Sequence, residues 1–227
     1  MTGLLDQVME LPTLPEFVAE LDARFAAERE RRRKFYAEIP DGAKWEFING
    51  EVIMHSPDMV RHMAVRRNLE SLLWNYVNLR GLGTVLAEKG LCVFPRNDFM
   101  PDVIFFGSEK AALLQPEQLR LPVPDFACEV LSESTSRRDR GVKFRDYETH
   151  GVAEYWILDA DRETLEQFLL RDGAYALELK SGSGWVRSRT VAGFEIPIRA
   201  LFDSGENLAA LRALLAAEEP AGRKRTG

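Results

Sequence analysis

Residues 125–131, DFACEVL, form an apolar, strand-like run with a carboxylate, Glu129, inside it. Phe126, Ala127, Cys128, Val130 and Leu131 are apolar at alternate and intervening positions alike, the pattern of a strand covered on both faces. An unpaired carboxylate in such a strand is strongly disfavoured. Whatever fold the chain adopts must bring Glu129 a compensating charge, a metal ion or a proton.

The segments around this run alternate between helical and strand periods, which predicts an α/β fold. Residues 15–36 have a helical period with Phe17, Val18, Leu21, Phe25 and Ala26 on one face, and Pro15 suits a first turn. Residues 44–54 read as two short strands around Asn49-Gly50, a strong hairpin signal. Residues 58–80 predict a long helix closed by Gly81 and Gly83, in which Trp74 packs and His62 is a core or capping residue. Strands are expected at 84–88, 91–94, 102–106, 125–131 and 154–159, with a turn at Asn97-Asp98 and a helix over 138–150. A hairpin-rich β region over 164–196, turning at Asp172-Gly173, precedes a last helix at 205–217. His55 and His150 are expected at the surface, and Trp45 and Trp156 in packing positions.

The 227 residues, 45% hydrophobic and 29% charged, suffice for one domain with a substantial core, and no Pro/Gly/Ser-rich linker divides them. The expected organisation is an N-terminal helical extension over 1–40, a single domain over 41–218 and a disordered tail over 219–227. The sequence contains no membrane-length apolar run, and its start lacks a signal peptide's basic and apolar regions. Cys92 and Cys128 both lie in apolar runs, as buried, reduced thiols do, and no zinc motif is visible. These features predict a cytoplasmic protein with no organic cofactor and no membrane partner. The net charge of −6 weighs against a broad nucleic-acid surface, although basic residues cluster at 31–34, at Arg61, Arg66 and Arg67, and between Arg137 and Arg145.

Acidic residues stand at several strand positions. Glu51 begins the second strand of the first hairpin, Asp102 follows Pro101, and Asp125 follows Pro124. Asp125 and Glu129 share a strand face but stand roughly 13 Å apart, too far for one ion. Asp102 and Glu129 belong to different strands, and on neighbouring strands about 4.8 Å apart their carboxylates converge. Such a pair suits a hard divalent cation, Mg²⁺ or Mn²⁺. Lys143, on the helix after the Glu129 strand, is placed to orient a water or offset developing negative charge, with Tyr147 facing the same way. Ser132, Ser134 and Thr135 are expected to cap that helix.

The stretches WEFINGEVIMHSPDMVRH (45–62), MPDVIFF (100–106), DFACEVLSEST (125–135) and RDRGVKFRDYETHGVAEYWILD (138–159), in this order, resemble the Uma family of restriction-endonuclease-like proteins in the PD-(D/E)XK nuclease superfamily. The resemblance covers roughly residues 11–170, including LPTLPEF (11–17). It implies a restriction-endonuclease-like mixed β-sheet flanked by helices, here with an added hairpin-rich C-terminal part. By position, Asp102 resembles the acid of the PD element, Glu129 that of the (D/E)XK element, and Glu51 an extra acid supplied earlier. Leu131 stands where the superfamily lysine falls, and Lys143 matches a lysine presented from the next helix. Glu133 stands where the family has proline.

The expected function is Mg²⁺-dependent hydrolysis of DNA phosphodiester bonds, with Asp102, Glu129 and Glu51 as metal ligands and Lys143 beside them. Homodimerisation is expected, because cutting both strands takes two sites. The alternative, motivated by the acidic charge, Leu131 and Glu133, is a catalytically silent nuclease-fold protein serving as a nucleic-acid-binding or assembly module.

Overall fold

The computed structural model describes residues 2–216; the tail expected at 219–227 lies outside the described residues. Helices α1 (Thr2–Met9) and α2 (Leu14–Glu38) come first. The apolar stripe of α2 does not enter the core, since Phe17, Val18, Leu21 and Phe25 remain 37–45% exposed. The end of α2 docks instead. Phe35 is buried against Phe47, Leu91 and Met100, and the Arg32 guanidinium grips Asp98 with two bonds of 2.6 and 2.7 Å while donating to the carbonyls of Phe94, Pro95 and Asn97. The basic run therefore fastens the helix to the domain through Arg32 and through Arg31, which donates to the Gly50 carbonyl at 2.8 Å.

Strands β1 (Trp45–Ile48) and β2 (Glu51–Met54) form the expected hairpin. Asn49 and Gly50 both take positive φ, 51° and 87°, as a two-residue type I′ turn requires. Helix α3 (Val60–Arg80) ends in left-handed Gly81. There follow β3 (Gly83–Ala87), β4 (Leu91–Val93), β5 (Asp98–Phe99), β6 (Val103–Gly107), the single turn α4 (Ser108–Ala111), β7 (Arg120–Leu121) and β8 (Phe126–Leu131). The helix expected at 138–150 runs instead from α5 (Ser136–Arg138) through a π-helical turn (Asp139–Lys143) into α6 (Phe144–Thr149). Next are β9 (Glu154–Asp159), β10 (Thr164–Arg171), β11 (Ala174–Ser181), β12 (Trp185–Arg187), β13 (Glu195–Pro197), a 3₁₀ turn (Ile198–Leu201) and α7 (Ser204–Ala216).

The main sheet is mixed and six-stranded, in the order β11-β10-β9-β8-β6-β3, with β8 and β9 parallel across the α5–α6 crossover and the other pairs antiparallel. A second sheet of short strands runs β2-β1-β5-β4-β7, and β12 pairs with β13. Alternation along β8 divides its side chains between two cores. Phe126, Cys128 and Val130 join α3 and α7 through Leu69, Leu72, Leu73 and Ala210. Ala127 and Leu131 join Phe94, Phe99, Tyr147 and Tyr155 beneath the second sheet. Burial on both faces explains the uninterrupted apolar pattern of β8. Both cysteines are free and buried, and Trp156 is core, but Trp74 is half exposed on the outer side of α3 rather than packed.

Candidate active site

Antiparallel pairing of β6 with β8 sets Val103 opposite Cys128 and Ile104 opposite Ala127. Continued by one residue, that register puts Asp102 opposite Glu129, on the face shared with Ala127 and Leu131. The Asp102 N–H donates to the Cys128 carbonyl at 3.1 Å, and its carboxylate Oδ2 accepts from the Val130 N–H at 2.7 Å. The two acids are therefore neighbours across strands. Asp125 is not part of the group; it accepts from the Gly107 N–H and pairs with Lys110 at 2.7 Å.

Lys143 reaches this pair from the end of the π turn, where one extra residue per turn shifts the phase of the helix; such turns recur at functional sites. Its ammonium is 1% exposed and lies 2.9 Å from Glu129 Oε1, 3.0 Å from Glu46 Oε1 and 3.4 Å from Asp139 Oδ1. The Tyr147 hydroxyl donates to the same Glu129 oxygen at 2.8 Å. Lys44 covers Asp102 at 2.6 Å, and Arg66 stands 3.9 Å from Asp102 while paired with Asp58 and Glu88.

Two of these acids were not anticipated from sequence. Glu46, fully buried on β1, accepts from the Met100 N–H at 2.8 Å and pairs with His55 at 2.8 Å, so His55 is not a surface residue. Asp139 is buried, and neither of its carboxylate oxygens has a hydrogen-bond partner among the described residues. Glu51, by contrast, is exposed on β2 and lines a cleft with Arg31, Lys34 and Glu38. The structure does not bring Glu51 to the acidic group. It lies directly past the Asn49-Gly50 turn, at the exposed end of β2, and Glu46, farther along the same face of the hairpin, occupies the inward place expected for it.

The electrostatics follow from four buried carboxylates facing two ammonium groups. Burial raises Glu129, against the pull of Lys143, and the negative charges of Asp139, Asp102 and Glu46 add to the rise, up to about 8. Burial would raise Glu46 as well, but the Lys143 charge and the His55 bond outweigh it and hold Glu46 down to about 2. Asp102 is lowered because Lys44 outweighs its burial, and Asp139 is raised by burial against Lys143. Burial disfavours the Lys143 ammonium, yet Glu129, Glu46 and Asp139 together push it well above its ordinary value.

This donor set is made of oxygen alone, which suits Mg²⁺ or Mn²⁺. Four buried carboxylates, Glu46, Asp102, Glu129 and Asp139, outnumber the two ammonium groups that face them, so the residues fit a divalent cation. Among the described residues no three His, Cys, Asp or Glu side chains surround one common metal position.

A family described as "Putative restriction endonuclease", Uma2, matches residues 29–199. The chain belongs to the Uma2 family. The Uma2 match begins within α2, so LPTLPEF lies outside it, and it extends through β10–β13 to the 3₁₀ turn. Among solved structures the chain resembles one titled a "putative nuclease belonging to DUF820" from Anabaena variabilis. Identity is 18% with a TM-score of 0.59, over 70% of this chain and 89% of that one, a likeness of fold. No curated protein matches. The fold and family are thus those the motif order implies: a restriction-endonuclease-like α/β protein. Among the described residues no helix is long and apolar enough to cross a membrane.

Proposed function

We propose that this chain hydrolyses phosphodiester bonds in DNA with a divalent cation, Mg²⁺ or Mn²⁺, held by Asp102 and Glu129. The observation that carries this reading is the placement of those two acids opposite each other on paired strands, with the buried Lys143 ammonium 2.9 Å from Glu129. Asp102 and Glu129 would be its two protein ligands, and water would supply the remaining positions, as is usual for Mg²⁺. The bound cation would supply Lewis-acid polarisation of the scissile phosphate and an acidified water.

The chain's own groups do the rest. Val130 N–H and Lys44 fix the Asp102 carboxylate, and Tyr147 fixes that of Glu129. Lys143 keeps its proton and offers a positive charge where the reaction builds negative charge. Glu46 and Asp139 hold the Lys143 ammonium in place, as positioning residues rather than ligands. Hydrolysis adds water across one P–O bond and leaves a phosphate monoester and a hydroxyl.

The test is Mg²⁺-dependent cleavage of supercoiled plasmid by the full chain. Asp102→Asn and Glu129→Gln should remove it, and Lys143→Met should lower it by at least a hundredfold. A wild-type chain that cuts no nucleic acid across divalent metals would instead favour the silent binding module, which the net charge of −6, Leu131 and Glu133 at the cleft motivate.

A further inference from the structure

A cleft of about 710 Å³ opens between the β2–α3 segment and the β8–α5 loop. It adjoins the acidic group through three of its lining residues. His55 bonds Glu46, Asp58 holds Arg66 beside Asp102, and the Thr135 carbonyl accepts from the Asp139 N–H at 3.0 Å.

Two residues that line the cleft each carry a buried polar atom with no hydrogen-bond partner among the described residues. His62 lines it and is only 6% exposed, yet its Nε2 has no hydrogen-bond partner among the described residues. Arg138, from the opposite wall, has a buried Nε in the same condition. A buried polar atom without a partner is costly and rare, and its retention points to a ligand. His62 also lies in the first turn of α3, a helix of 21 residues whose N-cap, Met59, provides no side-chain cap. The positive end of that helix dipole therefore faces the cleft without a side chain to satisfy it. Two of the lining acids are already paired, Asp58 with Arg66 and Asp161 with Arg61. His62, Arg138 and the uncapped first turn of α3 line one concavity, and an imidazole, a guanidinium and a helix N-terminus side by side suit a phosphate.

We propose that this cleft is a phosphate subsite in which His62, Arg138 and the N-terminus of α3 hold a backbone phosphate of a DNA strand, next to the phosphodiester that is cut. The inference rests on the nuclease reading of the adjoining acids. The subsite positions the strand and takes no part in bond breaking. It also accounts for the local basic residues in a chain of net charge −6.

The experiment uses the full chain in EDTA and a fluorescein-labelled single-stranded DNA oligonucleotide, with anisotropy read from about 50 to about 200 mM KCl. Arg138→Gln and His62→Ala should each weaken binding about tenfold, and Arg138→Gln should flatten the slope of log Kd against log salt by about 0.7. His62→Gln, which restores an N–H at that place, should bind at least about threefold more tightly than His62→Ala. Thermal melting checks folding; if His62→Ala fails to fold, Arg138→Gln and His62→Gln carry the test. The proposal is overturned if the variants match the wild type in affinity and slope, if glutamine restores nothing, or if the wild type binds no oligonucleotide. Plasmid cleavage by the same proteins keeps the two readings apart. Wild-type cleavage with unchanged KM in Arg138→Gln removes the subsite and leaves the nuclease, whereas absence of cleavage with oligonucleotide binding intact removes the nuclease.

Discussion

Replacing Lys143 by methionine keeps the length of the methylene chain and removes the ammonium. In the wild type that group is 1% exposed and faces Glu129, Glu46 and Asp139 at 2.9, 3.0 and 3.4 Å. Breaking a buried ion pair by removing one partner costs about 3–5 kcal/mol, because the remaining charge stays buried without compensation. The cost depends on pH. Glu129, pushed up by burial to about 8, already favours its proton at neutrality, so the exposed debt falls mainly on Glu46, held down to about 2 in the wild type. A carboxylate with a depressed folded value stabilises above its unfolded value, and that stabilisation fades as pH falls toward the folded one. In the variant the carboxylates lose their cation and rise, so folded protein takes up protons that unfolded protein does not, and the penalty grows with pH. Urea unfolding should show a loss of about 3–5 kcal/mol near pH 8, shrinking to about 1–2 kcal/mol near pH 5. A loss under about 1 kcal/mol near pH 8, or one independent of pH, would show that Lys143 is not the buried counter-charge of Glu46.

Three further outcomes follow from other parts of the fold. Glu51→Gln should leave plasmid cleavage at the wild-type rate, because that side chain is exposed away from the acids; a large loss in a kinetic assay would return Glu51 to the site. Arg32→Ala strips the buried Asp98 of its two guanidinium bonds and should cost about 3–5 kcal/mol in chemical denaturation, with limited proteolysis releasing α1 and α2 first; unchanged protection of those helices would count against it. Divalent cations must displace the Glu129 proton, so calorimetry in buffers of different ionisation enthalpy should register proton release, and affinity should climb with pH until about 8 and then level off; binding with no proton release contradicts this.

Asp102 and Glu129 were legible in the sequence because each interrupts or opens an apolar strand, and period-2 geometry separates their face from Asp125. Lys143 was legible from its place on the next helix, but the π turn that presents it was not, since one extra residue leaves little trace in an apolar period. Glu46 carries the same signal as Glu129: WEFI is an acid enclosed by Trp45, Phe47 and Ile48. The hairpin turn drew attention to Glu51 instead, although a residue directly after a two-residue turn tends to face solvent. Asp139 stands four residues before Lys143 among arginines, where a solvated helix face is the ordinary expectation, and only the crossover from β8 to β9 buries it. The stripe on α2 gave the helix correctly, and the domain takes Arg32 and Phe35 while leaving Phe17, Val18, Leu21 and Phe25 outside, in keeping with an extension.

The proposed hydrolysis requires Asp102 and Glu129 to share a divalent cation. Anomalous diffraction from crystals of the full chain soaked in Mn²⁺ tests it most directly. A peak beside the carboxylates of Asp102 and Glu129, lost in Asp102→Asn, is expected. Crystals saturated with Mn²⁺ that show no peak there, or a peak that persists in Asp102→Asn, would contradict it.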